Sequence, residues 1–170
     1  KKHSFATTRA GRTRQSDLPT AMGLGAHFCG FIFHPKSPRY IAPSRAAALD
    51  SALIRRVGVF VNQNAEEIMD VMKTARLEFA QLHGAQSLDC ARRIGPEKVI
   101  RALWPDRYES LDALQKEMEL WADSCAWFLL DAGSQGGGHG VSLDWNALAS
   151  LKSPRPWFLA GGLSSASLNK

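Results

Sequence analysis

The chain has 170 residues, 45% of them hydrophobic, and this predicts one substantial core within a single domain over residues 1–170. No apolar run approaches the ~20 residues of a membrane-spanning helix, so we expect no association with a membrane. Cys29, Cys90 and Cys125 are odd in number, widely spaced and without a CxxC pair. This argues against a disulfide framework or a zinc site and is typical of the reducing cytoplasm.

The net charge of +5 is concentrated at the amino end. Five basic residues precede the first acidic residue, Asp17, and the rest of the chain balances at sixteen basic against sixteen acidic residues. A basic tail can contact nucleic acid, but no aromatic interleaving supports RNA binding here. We therefore predict no nucleic-acid partner.

Strands and helices alternate along the chain. The predicted strands lie at 3–8 (a weak one), 27–33, 55–61, 77–82, 99–104, 127–130 and 157–160. Between each strand and the next lies one predicted helix, at 18–24, 44–54 (capped by Ser44), 65–76, 87–94, 108–122 and 144–151. The first of these helices lies between the strands at 3–8 and 27–33. Such alternation predicts a parallel sheet with right-handed crossovers.

A doubly wound sheet and a (β/α)8 barrel both satisfy this alternation. The first strand is not followed by GxGxxG, which counts against a dinucleotide-binding sheet. Polar residues instead follow several different strands, among them Arg39, Asn62, His83 and Asp131. A barrel distributes its functional residues in this way, so the predicted fold class is α/β, a (β/α)8 TIM barrel.

The most informative stretch is WFLLDAGSQGGGHG at 127–140, an apolar strand that ends on Asp131 before a glycine-rich segment. Barrel enzymes keep catalytic residues at the carboxyl ends of their strands. Asp131 is therefore a candidate catalytic residue, and the alternative is an aspartate that only caps the next helix.

Six ordered blocks resemble the phosphoribosylanthranilate isomerase family across roughly residues 11 to 168. They are PKSPRY at 35–40, VGVFVNQ at 57–63, QLHG at 81–84, LLDAGSQGGGHG at 129–140, LDW at 143–145 and LAGGL at 159–163. The resemblance implies a (β/α)8 barrel of tryptophan biosynthesis. It also implies an Amadori rearrangement of N-(5′-phosphoribosyl)anthranilate to 1-(2-carboxyphenylamino)-1-deoxyribulose 5-phosphate, with no metal and no organic cofactor.

The resemblance also assigns residues to the reaction. Asp131 corresponds to the general acid, which protonates the ribose ring oxygen. Arg39 corresponds to the family's arginine near the anthranilate moiety, where its guanidinium suits a carboxylate. His83 follows a strand, so we expect it to line the pocket, and the alternative is a purely structural histidine. Backbone N–H groups around the substrate phosphate are expected at Gly138, Gly161, Gly162 and Leu163. The implied partner is a small phosphorylated substrate, bound by a monomer or a homodimer.

Two departures from the family pattern stand out. The first strand of the family ends in Lys-X-Cys-Gly-Leu-Thr-Arg, and its cysteine is the general base. Aligning Gly11 and Thr13 with that pattern places Ala10 at the position of the cysteine. Cys29 is no substitute, because we expect it at the opposite end of its strand. The chain also stops at Lys170, which predicts a barrel that lacks its eighth βα unit.

Other functions stay open at this point. One is a different phosphate-binding TIM-barrel isomerase or epimerase, although the ribulose-phosphate epimerases need metal-binding His and Asp residues at several strand ends. No such set is evident in the sequence. Another is an inactive barrel remnant that pairs with a partner to close its sheet.

Overall fold

The computed structural model describes residues 8–10, 27–50, 54–131, 148 and 150–160. Within these residues, seven strands form one sheet in which every neighbouring pair is parallel. The strands are β1 (Thr8–Ala10), β2 (Phe28–Ile32), β3 (Arg55–Phe60), β4 (Phe79–Leu82), β5 (Val99–Leu103), β6 (Trp127–Asp131) and β7 (Trp157–Ala160).

Each strand from β2 to β5 is followed by one α-helix. The helices are α1 (Pro43–Ala48), α2 (Ala65–Ala75), α3 (Leu88–Ile94) and α4 (Leu111–Trp121). Side chains of Asn64, Ser87 and Ser110 accept hydrogen bonds from the first turns of α2, α3 and α4, which fixes where these helices begin. In this described part of the chain, none of the helices is long and apolar enough to cross a membrane.

The order of the strands decides between the two architectures that the sequence allows. The sheet runs from β1 to β7 in chain order, whereas a doubly wound sheet reverses its strand order at a switch point. The sheet also curls: the rings of Phe28 in β2 and Phe158 in β7 lie with centroids 5.3 Å apart. Five strand spacings in a flat sheet would separate them by about 24 Å. The predicted barrel architecture is confirmed.

Two apolar layers lie on the two faces of the curled sheet. The inner layer comprises Phe28, Val57, Phe79, Ile100, Ala102, Leu129 and Phe158. The outer layer joins the sheet to its helices and includes Phe31, Phe60, Leu82, Leu103, Leu130, Ile68, Met72, Leu114 and Met118. Burial of both faces explains why the strands read as continuous apolar runs in the sequence.

Four inner rings form an aromatic floor, made of Phe28, Phe79, Trp127 and Phe158, at the amino ends of their strands. Phe28 makes edge-on contacts with the other three at centroid distances of 5.3 to 6.3 Å. Trp127 and Phe158 stack at 4.7 Å. The floor closes one end of the barrel and leaves the carboxyl ends of the strands for a site.

The predicted helix over 44–54 is wrong at its carboxyl end, and Ser44 does not cap it, because the N-cap residue is Ala42 and no side chain caps the first turn. Helix α1 begins at Pro43, whose missing N–H needs no partner in a first turn, and ends at Ala48. The buried guanidinium of Arg56 donates hydrogen bonds to the carbonyl oxygens of Ala46 and Leu49. These carbonyls are therefore satisfied from β3 and do not require another helical turn.

Most other predicted boundaries agree within two residues with the observed ones. The start of α4 is an exception: it was expected at Tyr108 but lies at Leu111, because Ser110 caps the helix there. Strand β1 extends to Ala10, beyond the predicted 3–8. The predicted helix at 18–24 and most of that at 144–151 lie outside the described residues.

Candidate active site

The imidazole of His83 lies at the carboxyl end of strand β4, on the rim of the barrel. His83 directly follows the strand, and its backbone N–H donates to the carbonyl oxygen of Phe60 at the end of β3 (2.8 Å). Residues 79, 81 and 83 share one face because side chains alternate along a strand. Phe79 belongs to the inner layer, so His83 is held on the inner side of the rim.

Strand β6 brings a carboxylate to the same place. Asp131 is its last residue, and Oδ2 of Asp131 lies 3.6 Å from Nε2 of His83. The side chain of Asp131 is 19% exposed and that of His83 is 27% exposed, so both are partly accessible at the rim. A separation of 3.6 Å is an electrostatic contact and is longer than a hydrogen bond, although such pairs often tighten when substrate binds.

The surroundings of His83 keep its ring neutral. Burial is the largest effect on His83 and lowers its pKa below the ordinary value. The carboxyl group of Asp131 raises the pKa, and the nearby cations Arg107 and Arg101 lower it further. Trp104, which follows β5, packs edge-on against the imidazole with centroids 4.9 Å apart. Near pH 7 the pair therefore consists of a neutral imidazole beside a carboxyl group.

Gly84 allows the loop after β4 to pass close to β3. A Cβ atom at this position would lie 1.9 Å from the carbonyl oxygen of Val61, so a side chain does not fit without a backbone shift. The carbonyl oxygen of Gly84 accepts from Nη1 of Arg101 (2.9 Å), and its N–H donates to Oε1 of Gln86 (3.1 Å). The segment behind His83 is thus fixed from both sides.

Arg39 lies in a loop that leaves β2 and returns to it. Tyr40 forms a bridge with Ile32, and the backbone N–H of Ile41 donates to the carbonyl oxygen of Ile32 (3.1 Å). The Arg39 side chain is exposed. No hydrogen bond or ion pair joins its guanidinium to another described residue, so the predicted role in binding stays a prediction.

Ala10 is the last residue of β1 and pairs with Gly30 of β2, which places its backbone at the carboxyl end of the first strand. The predicted phosphate-binding residues Gly138, Gly161, Gly162 and Leu163 lie outside the described residues. In the last strand pair Asp131 is opposite Ala160, the residue before Gly161.

The three cysteines lie away from this rim. Cys29 is the second residue of β2 and is buried in the outer layer, which confirms that it is not at the catalytic end of its strand. Burial raises the pKa of the Cys90 thiol in α3. It raises the pKa of the Cys125 thiol, which precedes β6, to about 12. Thiolates are disfavoured at both positions.

Sequence reasoning missed three residues of the site. Gln81 lies two residues before His83, and its Nε2 is 2.9 Å from Nδ1 of His83. Its signal was available, because a glutamine and a histidine at a spacing of two in an apolar strand share one face. Trp104 and Arg107 had no comparable signal; the guanidinium of Arg107 lies 4.3 Å from the Trp104 ring.

Among the described residues, no three or more His, Cys, Asp or Glu side chains are grouped as metal ligands.

Comparison with known proteins identifies the family of this chain. The family model described as N-(5'phosphoribosyl)anthranilate (PRA) isomerase matches residues 7–170. N-(5'-phosphoribosyl)anthranilate isomerase of Desulfovibrio desulfuricans is 56% identical over 155 residues, which cover 91% of this chain and 74% of that protein.

Two solved structures share the fold. The phosphoribosyl anthranilate isomerase of Thermus thermophilus superimposes with a TM-score of 0.78 at 34% identity, covering 97% of this chain and 80% of that one. A phosphoribosyl anthranilate isomerase in complex with reduced 1-(o-carboxyphenylamino)-1-deoxyribulose 5-phosphate gives a TM-score of 0.78 at 27% identity, covering 98% and 80%.

Proposed function

This chain belongs to the N-(5′-phosphoribosyl)anthranilate isomerase family of tryptophan biosynthesis, and we propose that it rearranges N-(5′-phosphoribosyl)anthranilate slowly, with Asp131 as its acid. The observation that carries this assignment is the Asp131–His83 pair, 3.6 Å apart at the carboxyl end of a parallel barrel sheet. This is where barrel enzymes perform their chemistry.

The rearrangement needs two proton transfers. An acid protonates the ring oxygen of the ribose, so that the C1–O bond breaks and an iminium forms with the anthranilate nitrogen. A base then removes the C2 proton, and the resulting enol tautomerises to the ketose. Asp131 suits the first step because it is only partly exposed and has a nearby polar partner.

The second step lacks its usual group. The resemblance to the first-strand pattern of the family sets Ala10 against the cysteine that acts there as the general base, and a methyl group cannot accept a proton. Cys29 lies near the amino end of β2, and Cys125 precedes β6 at that same end of the sheet. We therefore propose that this chain binds substrate but turns it over slowly, since a positioned base typically contributes ~10²–10⁴-fold to rate.

Binding is assigned to the loops around the rim. Arg39, on the loop after β2, would pair with the anthranilate carboxylate. The backbone at Gly138, Gly161, Gly162 and Leu163 would surround the phosphate; in support, Asp131 and Ala160, which precede these segments, are direct neighbours in the sheet. The reaction would take place in the cytoplasm, consistent with three unpatterned cysteines.

The test uses the amide analogue of the proposed acid. We expect Asp131→Asn to reduce turnover of N-(5′-phosphoribosyl)anthranilate to the uncatalysed level, because an amide cannot supply the proton. Asp123→Asn is the matched control, since Asp123 precedes β6 and its side chain is 97% exposed. Calorimetry with reduced 1-(o-carboxyphenylamino)-1-deoxyribulose 5-phosphate should show that all three proteins bind. If Asp131→Asn turned over at the parental rate, Asp131 would not be the acid.

A further inference from the structure

Gln81 completes a line of three polar side chains that reaches the proposed acid. The amide Nε2 of Gln81 lies 2.9 Å from Nδ1 of His83, and Nε2 of His83 lies 3.6 Å from Oδ2 of Asp131. Gln81 is only 8% exposed and stands in the ladder between Val59 and Ile100. A buried amide in an otherwise apolar strand requires a hydrogen-bond partner, and His83 provides one.

The carboxylate of Asp131 determines which ring nitrogen of His83 carries the hydrogen. A neutral imidazole carries hydrogen on one nitrogen only. When Asp131 is ionised, as it is after it has given its proton to the substrate, a bare Nε2 would point its lone pair at the carboxylate, which is repulsive, whereas an Nε2–H would attract it. The hydrogen therefore belongs on Nε2, so Nδ1 is an acceptor, and the group facing Nδ1 must be a donor. The amide nitrogen of Gln81 is that donor.

We propose that Gln81 is a positioning residue that holds neutral His83 as the Nε2–H tautomer, so that His83 acts as a hydrogen-bond donor to Asp131. The inference deepens the proposed function and rests on it for the role of Asp131. When Asp131 gives its proton to the substrate, the Nε2–H group of His83 stabilises the carboxylate that remains. Gln81 acts on the reaction only through His83.

The charges around His83 support the neutral ring. Asp131 on β6 favours the imidazolium, while Arg107 after β5 and Arg101 on β5 disfavour it. An imidazolium would also direct a second N–H at the amide hydrogens of Gln81. One consequence is that His83 cannot replace the missing base, because Nδ1 is occupied by Gln81 and Nε2 already carries hydrogen.

The test reads the tautomer directly. In uniformly ¹⁵N-labelled protein at pH 8, long-range ¹H–¹⁵N correlations distinguish a ring nitrogen that carries hydrogen from one that does not. The His83 signals are identified by their loss in His83→Asn. We expect a protonated Nε2 and a bare Nδ1 for His83 in the unmodified chain. A protonated Nδ1 would overturn the proposal, and this result needs no Gln81 variant to fold.

A substitution then tests the part played by Gln81. In Gln81→Glu a carboxylate replaces the amide donor, so the hydrogen should move to Nδ1 and the pKa of His83 should rise. Gln115→Glu makes the same chemical change on α4, where the amide donates to Glu119, and should leave the His83 signals unchanged. An unchanged His83 tautomer and pKa in Gln81→Glu would also overturn the proposal.

Kinetics connect the tautomer to the reaction. If Asp131 is the acid, Gln81→Glu should lower kcat more than it changes KM, because the line Gln81–His83–Asp131 acts on the transition state. An equal effect of Gln115→Glu on kcat would contradict this positioning role. The two claims fail separately: the ¹⁵N spectra report on Gln81 even in a chain without isomerase activity, and Asp131→Asn reports on the acid whatever the tautomer.

Discussion

At the scale of single residues, His83 links the chemistry of the site to the stability of the fold. Its ring contacts Trp104, its Nε2 faces Asp131 and its Nδ1 faces Gln81. The sequence placed His83 and Asp131 at the ends of strands, which is where they lie. It could not give the tautomer of His83, because that depends on the distances from its ring to Gln81 on β4 and to Asp131 on β6.

His83 should make stability depend on pH. Its pKa is lower in the folded chain than its ordinary value of 6.5. The unfolded chain therefore binds the proton more readily, and the free energy of unfolding should be highest above about pH 6.5 and fall as the pH drops towards the lower folded pKa. Urea denaturation at a series of pH values from 7.5 to about 5 measures this fall.

The variants isolate the contribution of His83. His83→Asn should lose stability less steeply on acidification than the parent does. His34→Asn is the matched control, because the side chain of His34 makes no hydrogen bond or ion pair with a described residue. If the free energy of unfolding of the parent rose relative to that of His83→Asn as the pH dropped from about 7 to about 6, the pKa of His83 would be raised by folding and not lowered.

At the scale of elements, Arg56 joins two helix ends to the sheet. Its guanidinium donates to the carbonyl oxygens of Ala46 and Leu49 at the end of α1 and to that of Ala75 at the end of α2. The last carbonyls of a helix have no partner within the helix. Arg56 provides those partners and is itself only 8% exposed.

Arg56→Met should therefore be strongly destabilising. The methionine keeps part of the packing against Phe31 but removes the guanidinium donors of the Leu49 and Ala75 carbonyl oxygens, at a cost of about 1–3 kcal/mol each. The carbonyl oxygen of Ala46 still accepts from the backbone N–H of Leu49. Arg55→Met is the matched control, since the adjacent Arg55 is exposed and its ion pair with Glu78 is worth only ~0–1 kcal/mol. Urea denaturation measures both. Equal losses in the two variants would show that Arg56 does not hold the helix ends.

Arg56 shows why the boundaries of some helices and strands could be predicted from the sequence and others could not. The strands were predictable because each is a short apolar run with turn residues on both sides, and α2 and α3 were predictable from their capping residues. The end of α1 was not, because a side chain in a later strand sets it. The segments around Gly138 and Gly161 lie outside the described residues, so the phosphate site stays a prediction.

At the scale of the whole molecule, the aromatic floor holds the curled sheet together at its closed end. Phe28 of β2 contacts rings from β4, β6 and β7, which are not its neighbours in the sheet. The guanidinium of Arg55 lies 4.4 Å from the centroid of Phe79 and covers that ring. The floor thus supplies contacts across the barrel that backbone hydrogen bonds between adjacent strands cannot.

Phe28→Ala should cost about 3–5 kcal/mol of the free energy of unfolding, as removal of a buried aromatic ring typically does. Phe28 is 5% exposed, whereas Tyr40, whose substitution Tyr40→Ala serves as the control, is 41% exposed. The control should cost ~1 kcal/mol or less. If denaturation curves showed that Phe28→Ala also loses only ~1 kcal/mol or less of the free energy of unfolding, the aromatic floor would not stabilise the barrel.

The central proposal is that this isomerase-family chain has Asp131 as its acid and an alanine, Ala10, at the position of the family's base. Steady-state kinetics of the parent, Ala10→Cys and Ala10→Ser on N-(5′-phosphoribosyl)anthranilate test this most directly. We predict that Ala10→Cys raises kcat by ~10²–10⁴-fold with little change in KM, because the restored thiolate acts in the transition state. Ala10→Ser should not do so, since its hydroxyl is not ionised near pH 7. A parent already turning over at about 1–10³ s⁻¹, or an Ala10→Cys variant no faster than the parent, would show that Ala10 does not stand at the position of a missing base.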